Sequence, residues 1–398
     1  MRAFVFTDAG LARQAGRFVW LEIDTEMREN AFFRQRYAVQ ALPSFFIVDP
    51  ESEAVVLRWV GGATVAQLNA MLDEGHTALV QRRQGTPPAS TAAPEASKPA
   101  AGMSPDALLA RADELYGEGK NGEAVAFYRQ AVVQAPSGWP AYARATESLL
   151  FAALESHDYA TCTEIGRAAL PKLRSTASAV NVAAIGLDAA LSLPPENAQR
   201  TALVTEFESA ARAIVDDAQV SVAADDRSGL YAVLVQARSD AKDSLGAHDM
   251  ASRWAHFLEQ EAARAKSPEG RTVFDAHRLS AYLELGEPAR AIPMLEASER
   301  DFPDDYNPPA RLAVTYKELE RWDDGIAASR RALEHVYGPR KLRVLQNLAD
   351  IYRGKGDVGA ARSTLQDALQ LAQSLPPGQF SESTVANLEK KIGSLPNP

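Results

Sequence analysis

Residues 306–337 read YNPPARLAVTYKELERWDDGIAASRRALEHVY. Ala313, Gly325, Ser329 and Ala332 are small, Tyr316 and Trp322 are aromatic, and apolar residues recur at the three-to-four spacing of one helix face. The pattern returns at a period of about 34 residues, the signature of a stacked repeat. One copy runs from Pro105 to Gly138 with Ala112, Leu115, Gly119, Ala124, Tyr128, Ala131 and Pro136; another starts at Thr272 with Leu279, Tyr282, Gly286, Ala291, Leu295, Ser298 and Pro303. After an expansion around Gly338-Pro339, a further copy starts at Leu342 with Ala349, Tyr352, Gly356, Ala361, Leu365 and Ala368. Each unit is a helical hairpin whose apolar face needs a neighbour, so the spacing predicts a helical solenoid.

These residues resemble tetratricopeptide repeats. The resemblance implies that the small residues at the eighth, twentieth and twenty-seventh places let two antiparallel helices approach while an aromatic at the eleventh fills the gap. It also implies a groove lined by the second, fifth, ninth and twelfth places of each first helix, which in the last two units are Asn307, Lys317, Arg343, Gln346, Asp350 and Arg353. Lys317, Arg343 and Arg353 then offer donors to an acidic or carboxylate-terminated peptide. The Lys/Asn arrangement of chaperone-tail-binding repeats is not reproduced. Between the clear units, Gly138–Arg271 stays helical but degenerate, with inter-helix turns expected at Asp158-Tyr159-Ala160 and over Gly246–Ala251. Six or seven hairpins are expected, closed by a polar capping helix from Ser381 to Ile392.

Working outward toward the N-terminus, residues 84–104 carry 17 Ala, Pro, Ser, Thr or Gly among 21 positions and four prolines, a composition that reads as a linker. The expected division is 1–83, 84–104 and 105–398, with the repeats clearest at 105–138 and 272–375. Within 1–83, Phe18–Ile23, Ser44–Val48 and Val55–Val60 read as strands and Val65–Leu72 as a helix capped by Thr64. An α/β fold is expected there. Phe4–Asp8, Ile23-Asp24, the run Tyr37–Asp49 and Gly61-Gly62 are similar to the second half of a thioredoxin-like domain. That resemblance implies a cis-proline at Pro43, and it implies a CxxC pair and a central strand upstream of Met1, which would make Met1 an internal methionine. The expected fold is therefore mainly α, a repeat solenoid preceded by a partial thioredoxin-like α/β part.

The 398 residues are 46% hydrophobic, enough to bury cores, and the formal charge of −10 opposes binding to nucleic acid phosphates. No apolar run spans a bilayer, and no export signal precedes Phe4, so the chain as written reads as soluble and cytoplasmic, or as exported if an extension carries a signal. Cys162 is the one cysteine, which excludes an internal disulfide or CxxC pair and favours a buried, inert thiol. Two G-x-G-x-x-G stretches, at Gly117, Gly119, Gly122 and Gly354, Gly356, Gly359, occupy equivalent repeat positions and read as helix turns. The six histidines are scattered, and Asp301, Asp304 and Asp305 form a solvated turn. No catalytic residue, metal site or cofactor is assigned. The reading is a protein-binding scaffold; its alternative is a thiol–disulfide oxidoreductase with its CxxC upstream.

Overall fold

The computed structural model describes residues 5–37, 39, 43–60, 62–84, 98–99, 102–173, 176–217, 222–376, 379–380 and 382–396. The chain divides into two compact units: Met1–Leu21 with Gln35–Met250, and Glu22–Arg34 with Ala251–Pro398.

A short helix, α1 (Ala31–Arg36), precedes the sheet of the first unit. Strands β1 (Ser44–Val48) and β2 (Val55–Val60) form an antiparallel hairpin with a register break at Ile47/Val48. The Asp49 carboxylate organises the turn by accepting from Ser52 Oγ at 2.7 Å and from the Glu51 amide at 3.2 Å. Helix α2 (Val65–Arg83) begins in a capping box, the Thr64 hydroxyl accepting from the Gln67 amide while the Gln67 side chain accepts from the Thr64 amide. Its Leu68, Met71 and Leu72 are buried with Ile47 and Val56. Gly75 lets the helix lie close to the sheet, since a Cβ there would sit 2.1 Å from Ile47 Cδ1.

The expected thioredoxin-like sheet is not what forms. Among the described residues the sheet has two strands, β1 and β2. Phe18–Ile23 is no strand: the segment is irregular, with Val19 89% and Leu21 76% exposed. An extended run becomes a strand only when a neighbour pairs its amides and carbonyls in a ladder, and among the described residues the ladder joins β1 and β2 alone. Val5–Thr7 is a turn that leads into a 3₁₀ segment at Ala9–Gln14. Met1–Phe4, the Leu42–Pro43 peptide bond and most of the 84–104 linker lie outside the described residues.

The rest of the first unit is helical: α3 (Pro105–Gly117), α4 (Asn121–Gln134), α5 (Tyr142–Glu155), α6 (Tyr159–Leu173), α7 (Ser178–Ser192), α8 (Arg200–Asp216) and α9 (Ala224–Asp240). Ser104 caps α3 by accepting from the Ala107 amide, with Pro105 at the first helical position. Gly119 ends the α3–α4 turn at φ +76°, as the G-x-G-x-x-G reading requires. The hairpins α3/α4, α5/α6 and α7/α8 close on fully buried Ala112, Ala124, Ala131, Ala152 and Ala189. Helix α10 (Ser244–Arg264) carries the boundary between the units. The turn expected over Gly246–Ala251 is therefore helix; the real turn lies at Ala241–Asp243, where Lys242 takes φ +57° and Asp243 caps the Gly246 amide at 2.9 Å.

The second unit continues with α11 (Pro268–Thr272), α12 (Asp275–Glu284), α13 (Ala291–Asp301), α14 (Asn307–Glu318), α15 (Trp322–His335), α16 (Arg340–Lys355), α17 (Val358–Ser374) and α18 (Glu382–Gly393). Hairpins α12/α13, α14/α15 and α16/α17 enclose buried Tyr282, Ala291, Ala313, Ala332, Ala349, Ala361 and Ala368. Gly356 closes α16 in the left-handed conformation at φ +87°. The tail helix α18 caps the last hairpin, burying Leu388 completely. Arg362 of α17 donates to the carbonyls of Ile392, Leu395 and Pro396, satisfying the orphan acceptors at its end.

Candidate functional site

In each unit the first helices of neighbouring hairpins touch, α5 with α7 and α12 with α14 with α16, so their faces form one inner layer. That layer carries the candidate sites.

In the first unit it is acidic and partly covered. Asp113 of α3 accepts from Tyr128 Oη at 2.7 Å and pairs with Arg144 of α5. The Arg144 guanidinium lies 4.1 Å from the centroid of Trp59 on β2. Burial works against its charge, yet the Asp113 carboxylate holds its pKa above the ordinary value. One residue away on β2, Arg58 donates to the Tyr37 carbonyl at 2.6 Å and packs 4.9 Å from the Phe46 ring. Its guanidinium reaches the end of α3, where a Cβ on Gly117 would fall 2.1 Å from Nη1. The sheet thus rests on the first-helix face of the first hairpin. The glycine that reads as a mere helix end is also what admits Arg58.

Adding 34 to Asp113 gives Glu147, and adding 34 again gives Asn181, two face positions inside the degenerate stretch that sequence reading passed over. Asn181 Nδ2 donates to Glu147 Oε2 at 2.9 Å. Burial raises the Glu147 pKa, against hydrogen bonds from Ser178 and Asn181 that lower it. Asp226 on α9 is pushed up to about 6, first by burial and then by Asp225 and Glu147.

In the second unit the same helices carry Lys317, Arg343 and Arg353 alongside Glu318 and Asp350. Residues 306–374 match the tetratricopeptide repeat family. That match covers α14 to α17. No curated protein matches the chain. Among solved structures, it is similar to a tetratricopeptide repeat protein from Parabacteroides merdae, at 11% identity over 74% of this chain and 100% of that one, with a TM-score of 0.42. It is also similar to BtubC (BKLC) from P. vanneervenii, at 18% identity over 54% of this chain and 80% of that one, TM-score 0.33. A third is the TPR2AB domain–pHSP90 complex of yeast Sti1, at 14% identity over 73% of this chain and 98% of that one, TM-score 0.27.

Of the expected groove residues in these repeats, Arg343 and Arg353 are exposed on α16, and Lys317 is half-buried on α14, 3.4 Å from Glu318. Arg353 pairs with Asp350 at 3.1 Å. The other two are engaged. Asn307 donates through Nδ2 to Asp305 at 2.8 Å, and Gln346 accepts from Lys391 of the capping helix at 3.2 Å. Pro43 is exposed immediately before β1.

Cys162 packs in the α5/α6 core, its Sγ–H donating to the Leu150 carbonyl at 3.4 Å. Burial pushes its pKa up to about 12, so it stays a neutral thiol at physiological pH. His157 pairs with Tyr159 Oη instead. Among the described residues no group of three or more His, Cys, Asp or Glu side chains could hold a metal ion, and no helix is long and apolar enough to cross a membrane.

Proposed function

We propose that the chain is a protein-interaction scaffold that holds partner segments against the first-helix faces of its repeats. The observation that carries this reading is the first hairpin, whose face already holds a segment from outside the repeats through Arg58 and Trp59. A surface that packs its own sheet in this way has the depth and charge to pack another chain. Lys317, Arg343 and Arg353 give the last repeats a basic face, suited to an acidic or carboxylate-terminated peptide.

The test is fluorescence anisotropy of the full chain with acidic, carboxylate-terminated peptides of about ten residues. Binding should weaken with added salt and fall at least tenfold in the triple variant K317A/R343A/R353A. Equal binding by the triple variant would reject the basic face as the site.

A further inference from the structure

Within the second unit, the segment Glu22–Arg34 lies against the turn that joins α15 to α16. Asp24 accepts from Tyr337 Oη, and its Oδ2 lies 3.6 Å from Arg340 Nη1. Glu26 Oε2 lies 2.6 Å from Arg340 Nε. One guanidinium therefore faces two carboxylates two residues apart. Thr25 between them is buried, and its carbonyl lies 3.5 Å from Gln379 Nε2. Gly338 has φ +58°, a conformation that strains any other residue, and a Cβ there would crowd the Glu26 carbonyl oxygen at 3.2 Å. The segment is shaped for the contact: Asp24 Oδ1 accepts from the Glu26 amide, and Asn30 Nδ2 donates to the Asp24 carbonyl, both at 2.9 Å.

We propose that Tyr337, Gly338, Arg340 and Gln379 form a docking site for an acidic segment of the form acid–small–acid, which the chain's own Asp24-Thr25-Glu26 occupies as an internal ligand. The occupant follows from charge and size. Residues 105–398 carry 32 basic against 41 acidic side chains, yet Arg340, Lys341 and Arg343 cluster here. The ion pairs are partly solvated: Asp24 is 30% and Arg340 37% exposed, against 19% for Glu26. Partly solvated ion pairs are exchangeable, so an external acidic segment of the same form displaces the internal one. This rests on the scaffold reading, and it adds that the last repeats are gated by the chain itself.

The experiment uses a fluorescent peptide of residues 21–30, LEIDTEMREN, titrated into three full-length chains: wild type, D24K/E26K and D24K/E26K/R340A. Lysines at 24 and 26 repel Arg340 and vacate the site. The double variant should bind the peptide at least tenfold more tightly than wild type, and R340A should reverse the gain. D24N/E26Q, which removes the charges without repulsion, should give a smaller gain of the same sign. Equal binding by all chains, or a gain insensitive to R340A, would overturn the proposal. If an unrelated acidic peptide still binds through Lys317, Arg343 and Arg353 while the 21–30 peptide does not, the internal ligand falls and the scaffold stands.

Discussion

In the first hairpin the inner face carries Asp113, and what rests there is cationic and aromatic, Arg58 and Trp59. In the last repeats the corresponding layer carries Lys317, Arg343 and Arg353, and the segment beside their connecting turn is acidic, Asp24 and Glu26. The two regions share a scaffold of small buried residues, Ala112, Ala124 and Ala131 in one and Ala313, Ala332 and Ala349 in the other. Size at the inter-helix positions sets the hairpin, whereas charge at the face positions selects what the hairpin holds.

The sharpest way to break this comparison is to remove the acidic centre of the first face. Asp113→Ala strands the Arg144 guanidinium, already left with a buried, unpartnered Nε. Removing one member of such a buried pair costs about 3–5 kcal/mol. The solvated counterpart, Arg353→Ala at the exposed Asp350 pair, should cost under about 0.5 kcal/mol. Urea titration of both variants checks the contrast, and similar losses would erase the distinction between a packed face and an open one.

A smaller effect is expected at Gly117. The added methyl of Gly117→Ala collides with Arg58, which is pinned by Tyr37 and Phe46, and overpacking of this kind costs about 1–3 kcal/mol. Combining it with Arg58→Ala should recover most of the loss; no recovery would mean that Arg58 is not what the glycine accommodates.

The smallest effects are in pH dependence, and their signs oppose. Asp226 titrates at about 6 in the folded chain, above its unfolded value, so the native state binds more protons and stability falls as pH rises from about 4 to 6. Asp226→Asn should flatten that slope. Asp24 behaves inversely: burial raises its pKa, but Tyr337, the Glu26 amide and Arg340 together hold it low. Its contribution is present above the unfolded value of about 4 and is lost as pH falls through the folded one. Asp24→Asn should therefore remove stability at neutral pH and leave it unchanged in acid. Denaturant midpoints across pH 3–7 for both variants decide the signs.

The repeats were legible because their signal is steric. A fully buried Ala131 or Ala368 tolerates nothing larger, so the spacing survives in the sequence. The degenerate middle was harder. There Gly186 packs against the Phe207 ring, and Lys242 rather than glycine takes the left-handed turn, so the usual punctuation is missing. The N-terminal strand at Phe18–Ile23 misled because an apolar run shows that a segment can pair, not that a partner exists. The groove residues were half legible. Helix periodicity places Arg343, Gln346 and Arg353 along α16, but Lys391 reaches Gln346 from 45 residues away, which no local pattern encodes. The same holds for Arg58 at Gly117 and for Asp24 and Glu26 at Arg340.

The claim that the repeat face holds a foreign segment is tested most directly by hydrogen–deuterium exchange of the full chain, resolved by peptide. A free two-stranded hairpin is marginal in water, whereas one docked on α3 shares the protection of its support. The ladder amides of Ser44–Val48 and Val55–Val60 should therefore exchange through the same slow opening as α3 and α4, and Arg58→Ala, which leaves the Asp113–Arg144 pair intact, should speed the strands selectively. Strand amides exchanging at near-unprotected rates while α3 and α4 stay protected would contradict the account.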